Sequence, residues 1–343
     1  MSEKLFRKYR SGIRRLIALL GKDHPRIPEV LVLQHRLIQN MSDVATLGTT
    51  AALELSRARI LQSCNRLSQS LVNKSFFALC GLSAEKARKG TAGLVANGQT
   101  QPVMDAYFEA MSALLQHEEL RSERASTQSR DDARERTLAI LEELDGIQKG
   151  HIVQFLYESG LITEGPGVLF LSGADLSEVN LEDAVLIEAH LAGTDLRSAH
   201  LDAAHLEWAR LGEACLEQAS LHGTFLVAAH LAGAQLTAAD LHGAHLLGAN
   251  LSGADLSNAH LEEAQMQWAS FLTANLSGAH LTGANLVGCE LQSANMAGAD
   301  LCSANLEDAH LAWVRLRGAR YNDQTCWPEN FDAVGAGAIK VEV

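Results

Sequence analysis

Histidine, cysteine and carboxylate are the residue types with most chemical reach in this 343-residue chain, and the histidines are not scattered evenly. Ten of the fourteen lie between positions 190 and 310, interleaved with carboxylates. The densest series reads Glu182, His200, Asp202, His222, Asp240, His242, His260, Glu262 and His280, in steps set by a period of twenty. Imidazole beside carboxylate suits either a metal shell or a switch that responds to pH near neutrality. A plainer reading is stronger, because most of these histidines stand where Asp or Asn stands elsewhere in the same pattern. Ligands stacked at strand spacing also lack the outer layer that completes a metal shell. Neither metal nor cofactor is therefore expected. Cys64, Cys80, Cys215, Cys289, Cys302 and Cys326 form no CxxC pair and no framework spacing, so they read as reduced thiols. No phosphate-binding glycine loop, zinc motif or nucleophile elbow occurs. The chain is not expected to be an enzyme.

The element that positions these residues is legible in the spacing. From Leu171 to Leu316 every fifth residue is large and apolar: of thirty positions, twenty-seven are Leu and the others are Met266, Phe271 and Met296. Two residues before each stands a small one, Ala in twenty-four cases. A five-residue period fits neither the 3.6-residue helix nor the two-residue strand. It requires a coil that turns a corner every five residues. Four such sides close a coil of about twenty residues, with Leu and Ala inside and three polar positions outside. At a strand spacing of ~4.8 Å the segment forms a rod of roughly 35 Å, a one-dimensional stack stabilised between neighbours. Gly173, Gly193 and Gly243 fall at the corner, where tight turning calls for glycine.

The motif Ala, Asp or Asn, Leu, as at 174 to 176 and 274 to 276, resembles the pentapeptide-repeat family over about 150 residues. The resemblance implies a right-handed quadrilateral parallel β-helix. It also implies that activity, where any is known, is binding: some members are acidic DNA mimics that act on type II topoisomerases. A helix over 148 to 162, with Ile152, Phe155, Leu156 and Leu161 apolar, is expected to cap the first coil. Tyr321, Trp327 and Phe331 are expected to plug the last.

Read in columns twenty residues apart, the outer faces differ. One side carries Val185, Ile187, Trp208, Phe225, Val227, Leu247, Trp268 and Val287, an apolar stripe that a partner is expected to cover. The cover would be the chain's own N-terminal half, a second copy or another protein. The preceding side carries Glu182, Asp202, Asp240, His242 and Glu262 as candidate contacts for a cationic partner.

Charge separates along the chain. Residues 1 to 167 hold 22 Lys and Arg against 19 Asp and Glu, a net of +3, whereas residues 168 to 320 hold 5 against 18, a net of −13. An acidic rod favours a basic partner over bare nucleic acid. The N-terminal part reads as helical: a module over 1–82, a small polar linker over 83–101, and a helical connector and cap over 102–165. The solenoid follows over 166–320 and a C-terminal cap and tail over 321–343. The fold class is thus an all-helical module followed by a β-solenoid. The strings GluValLeuValLeuGlnHisArgLeuIleGln, SerArgAlaArgIleLeuGlnSerCysAsnArgLeuSer and SerPhePheAlaLeuCys resemble small effector-associated helical modules of bacterial signalling and immune proteins. That resemblance implies recruitment of like modules, with Arg36, Arg57, Arg59 and Arg66 as contacts; an ordinary solvated helix face is the alternative. No stretch approaches the roughly 20 apolar residues that span a bilayer. A soluble cytoplasmic protein is expected.

The sum is a non-enzymatic adaptor that binds proteins, with a homodimer as one form of partner and bacterial signalling or antiphage defence as its setting. The alternative is an acidic DNA-mimic regulator or protector of a type II topoisomerase.

Overall fold

The structure, a computed structural model, describes residues 13, 15, 16, 64, 101–116, 127–163 and 169–342. The helical module expected over 1–82, its contacts Arg36, Arg57, Arg59 and Arg66, linker residues 83–100 and residues 117–126 and 164–168 lie outside the described residues. The exceptions are Ile13, Arg15, Leu16 and Cys64, which are helical; Ile13, Leu16 and Cys64 are buried. Gln101, expected to end the linker, is helical. Three helices are described, α1 (Gln101–Gln116), α2 (Thr127–Leu141) and α3 (Gly146–Glu158). The chain divides into two compact units, residues 1–136 with 151–169 and residues 137–150 with 170–343. In the first, Tyr107 and Phe108 of α1 and Phe155 of α3 form an edge-to-face aromatic cluster, with ring centres 5.1 to 6.3 Å apart.

The second unit is the solenoid. Parallel bridges join residues twenty apart without interruption, from Asp175↔Asp195 to Asp300↔Arg320. The coil is therefore four repeats long, as the family resemblance implies. Each bridge is made by the residue before the inward Leu. Leu176 N–H donates to the Asp195 carbonyl at 2.8 Å and Asp195 N–H to the Ala174 carbonyl at 3.0 Å, and the same pair recurs up the rod.

Each corner is a turn closed from the Leu carbonyl to the N–H three residues on, as in Ala174 N–H to Leu171 O at 2.8 Å. The third residue of the turn has positive φ in all thirty repeats, the signature of a type II turn. Twelve of these are glycine and eighteen are not, among them Glu178 at 57° and Asp308 at 58°. The expectation that glycine is needed at the corner is corrected here. A left-handed non-glycine residue costs ~1–2 kcal/mol, and the ladder bonds on either side of the corner hold it there.

Inside, the Leu and Ala positions are almost wholly buried. Departures from Ala solve their own polarity. Thr194 Oγ1 donates to Leu191 O at 2.7 Å, Thr224 Oγ1 to Leu201 O at 2.8 Å, and Cys289 Sγ to Met266 O at 2.9 Å. The Asp or Asn before Leu has a local reason too. Its Oδ1 accepts the N–H two residues on, which points out of the ladder: Asp175 from Ser177 at 3.0 Å, Asp255 from Ser257 at 2.9 Å, Asn305 from Glu307 at 2.9 Å. Asn side chains also bond up the column, Asn295 to Asn275 and Asn275 to Asp255 at 2.9 and 3.0 Å.

Both ends are closed. The start of α3 lies against the first coil: Gly146 O accepts from Asn180 N–H at 2.9 Å, and Lys149 Nζ reaches Asp175 Oδ2 at 3.0 Å and Ser177 O at 3.1 Å. A Cβ at Gly146 would stand 2.0 Å from Glu178 O, and one at Gly150 2.3 Å from Asn180 O. Only glycine permits that approach. At the far end the register slips once, Asn305 bridging Cys326 rather than the residue at 325. There β1 (Arg320–Tyr321) pairs in parallel with β2 (Ile339–Lys340). Trp327 packs on Tyr321 and Phe331, with ring centres 5.5 and 5.3 Å away.

Candidate functional site

Three outward positions per repeat make up the surface: the bridging residue before Leu, the residue after Leu, and the corner. Residues before and after the same Leu point to the same side, because side chains alternate along extended chain. Residues twenty apart stack. These two rules bring together groups that are separate in sequence.

On the side whose inward residues are Leu186, Leu206, Leu226, Leu246, Met266 and Leu286, the bridging column is a ring stack. His205 lies on Phe225 with centres 4.6 Å apart, and Phe225 on His245 at 4.8 Å, each pair within 5° of parallel. His205 Nδ1 meets Glu207 Oε1 at 3.0 Å, and Glu207 is only 5% exposed. Its other oxygen and the neighbouring Trp208 Nε1 are buried without a hydrogen-bond partner. The sequence reading missed this pair, although the string HisLeuGlu at 205 to 207 signals it once the alternation is known.

The apolar stripe expected on this side is not a free surface along its length. Val185, Ile187, Val227 and Leu247 are buried, and Trp208, Phe225 and Val287 are half-buried. Only Trp268 stands well in solvent, at 55%. Burial of Val185, Ile187, Val227 and Leu247 is what an apolar stripe under cover would show. Trp268 is held in place all the same. Its indole lies so close over Gly288 that a Cβ there would come within 2.5 Å of Cδ1. Leu272, four residues on, is 42% exposed.

The preceding side, with Leu181 to Leu301 inside, carries the carboxylates and imidazoles expected of it. Glu182 is exposed, and Asp202, Asp240, His242 and Glu262 are partly so. Most are already engaged. Asp202 Oδ1 accepts from Ser220 Oγ at 2.5 Å and His222 N–H at 2.9 Å, and Asp240 Oδ1 accepts from His242 N–H at 3.0 Å. His222 stacks on His242 at 5.0 Å and His260 on His280 at 4.7 Å.

Three aspartates of the rod are held below their ordinary range. For Asp195 the bond from Arg197 outweighs partial burial. For Asp175 burial acts upward and is overcome by hydrogen bonds from Ser177 and Lys149. For Asp300 burial is overcome by bonds from Cys302 and by the charges of Arg320 and His280. Burial pushes the Cys289 thiol up to about 12 and Cys302 to about 11. Among the described cysteines, Cys64, Cys215, Cys289, Cys302 and Cys326 are free.

Residues 171–202, 214–253, 234–271, 269–308 and 284–320 match the family described as Pentapeptide repeats, in eight copies. The chain belongs to the pentapeptide-repeat family. Among solved pentapeptide-repeat structures it is similar to HetL, involved in heterocyst differentiation regulation in the cyanobacterium Nostoc sp. strain PCC 7120. The identity is 28% over 48% of this chain and 84% of that one, with a TM-score of 0.30. Another pentapeptide-repeat protein from Nostoc PCC 7120 is 34% identical over 34% of this chain and 84% of that one, with a TM-score of 0.15. QnrB1, a plasmid-mediated fluoroquinolone resistance protein, is 20% identical over 45% of this chain and 77% of that one, with a TM-score of 0.26. No curated protein matches the chain by sequence. Among the described residues no helix of this pentapeptide-repeat protein is long and apolar enough to cross a membrane.

Proposed function

We propose that this pentapeptide-repeat protein is a non-enzymatic interaction scaffold whose rod presents a fixed surface to a protein partner. The observation that carries the reading is Trp268, an indole fixed against the Gly288 backbone with its outer part in solvent. A large, rigid aromatic loses little entropy on contact and is the residue type most often found to dominate binding energy. Val287, whose carbonyl accepts the Trp268 N–H at 3.0 Å, and Leu272, a second exposed apolar side chain four residues on, add apolar area. The side preceding that of Met266 carries Glu182, Asp202, Asp240, His242 and Glu262, which suit basic groups on the partner. In this reading residues 1–82 recruit a second protein, like module to like, through Arg36, Arg57, Arg59 and Arg66. A cytoplasmic role in bacterial signalling or antiphage defence fits that arrangement.

Co-purification tests it. The full chain should retain a defined protein from cell extract, or a second copy of itself. The Trp268→Ala, Leu272→Ala double variant should lose that protein while melting at the same temperature. A strict monomer that retains nothing, or retention that the double variant leaves intact, overturns the reading.

A second reading rests on the net −13 of residues 168 to 320: the rod as a surrogate duplex for a type II topoisomerase. It requires the purified chain to alter supercoiling by such an enzyme, and an unchanged topoisomer ladder at micromolar rod removes it.

A further inference from the structure

We infer that His260, Glu262 and His280 form a divalent transition-metal site on the outer wall of the solenoid, with coordination positions left over for water or an outside donor. Glu262 lies two residues from His260 across the inward Leu261, and His280 lies one coil above His260, so three donors from two coils face one point. Glu262 Oε1 is 3.3 Å from His260 Nδ1 and 3.9 Å from His280 Nδ1, and the three donor atoms lie within 4.8 Å of one another.

Metal–nitrogen and metal–oxygen bonds of ~2.0–2.2 Å at a tetrahedral centre place neighbouring donors about 3.4 Å apart. The first separation already meets that figure, the second needs roughly half an ångström, and the donors of His260 and His280, within 4.8 Å of each other, must draw in as well. The rings now stack 4.7 Å apart, tilted by 14°. Each must swing to aim its lone pair at a common ion, and both are 50% exposed and free to do so.

A second observation points the same way. Glu262 Oε2 is shut off from solvent and has no hydrogen-bond partner. A carboxylate oxygen in that state is costly, and a bound cation compensates both oxygens. Asp240 precedes His260 in the bridging column and adds a negative charge on one side of the site that concentrates cations. On the other side Asp300 follows His280 and pairs with Arg320 at 3.5 Å. Two imidazoles and one carboxylate favour Zn²⁺, Co²⁺, Ni²⁺ or Cu²⁺ over Mg²⁺ or Ca²⁺.

Other histidines of the rod lack the full set. His222 and His242 stack, but among the described residues no carboxylate converges on them with donor atoms as close as those of His260, Glu262 and His280, and Oδ1 of Asp202 and of Asp240 accepts a backbone N–H. His205 has Glu207, yet the next ring in its stack is Phe225. This separates the site from a general affinity of histidine-rich surface for metal.

The test uses the untagged full chain stripped with EDTA and titrated with Co²⁺ by visible absorption, then with Zn²⁺ by calorimetry. One saturable site per chain is expected, with Zn²⁺ displacing Co²⁺ and Mg²⁺ leaving both unaffected. His260→Ala, His280→Ala and Glu262→Gln should each lose that site. The His222→Ala, His242→Ala double variant should keep it. Circular dichroism melts identify any variant that fails to fold, and in that case the conservative His260→Gln replaces it. Absence of saturable binding overturns the proposal. So does binding that the His222, His242 double variant weakens as much as His260→Ala does.

Discussion

The left-handed corner residue is the clearest case in which single positions carry the energetics of this rod. Gly243 has φ of 62° with nothing within 4 Å of a Cβ placed on it. Gly243→Ala therefore introduces no clash and isolates the backbone cost, expected at about 1 kcal/mol, while Gly243→Asn should cost less because Asn tolerates this conformation. Denaturant melts of the two variants check the order; Asn as costly as Ala would show that the turn is not what is strained. Thiol chemistry divides the same way. Cys326 is exposed, whereas Cys289 and Cys302 are buried with thiols pushed up to about 12 and 11. Reactivity follows the thiolate. Mass spectrometry after brief alkylation at pH 8 should find Cys326 modified while Cys289 and Cys302 are not.

At the scale of elements, the start of α3 and the first coil act together. Gly146→Ala would drive a methyl into the Glu178 carbonyl. It should raise hydrogen exchange over residues 171–190 and leave the coils beyond 230 protected, and exchange that rises everywhere or nowhere would contradict this cap. The ion pair below it sets a pH dependence. Asp175 is held below its ordinary range in the folded state, so its contribution is present above the unfolded value near ~3.9 and disappears as pH falls through the lower folded value. The first coil should open in acid from about pH 4 downward, followed by exchange at Asn180 N–H. In Lys149→Met, which removes the partner, that opening should begin at higher pH. Asp195 and Asp300 move in the same direction and add to the acid sensitivity of the rod.

At the scale of the whole molecule, the rod behaves as a stack in which each coil touches only its neighbours. Leu246→Ala, in the middle, empties a fully buried position and is expected to cost ~2–5 kcal/mol. The loss should appear as faster exchange in the coils on either side of Leu246, fading towards both ends; a single sharp global transition with uniform exchange would mean that the rod folds as one unit.

The sequence by itself determined the coil. A Leu every fifth residue with Ala two before it calls for a corner every five residues, and the family resemblance implies four such sides and twenty residues per turn. The bridges from Asp175 to Arg320 follow that period without a slip. The tertiary structure decided what the outside does, because that depends on which side chains meet across coils and which remain in water. Asp or Asn before Leu reads as a family habit in sequence, whereas in space it is the acceptor for an N–H that the ladder leaves out. Val185, Ile187, Val227 and Leu247 fall at outward positions in the sequence, and only the structure shows that they are buried. In the sequence His260 and His280 read as tolerated substitutions and Glu262 as a partner contact. Their donors converge only when two coils are stacked at strand spacing, a distance in space that no spacing along one coil expresses.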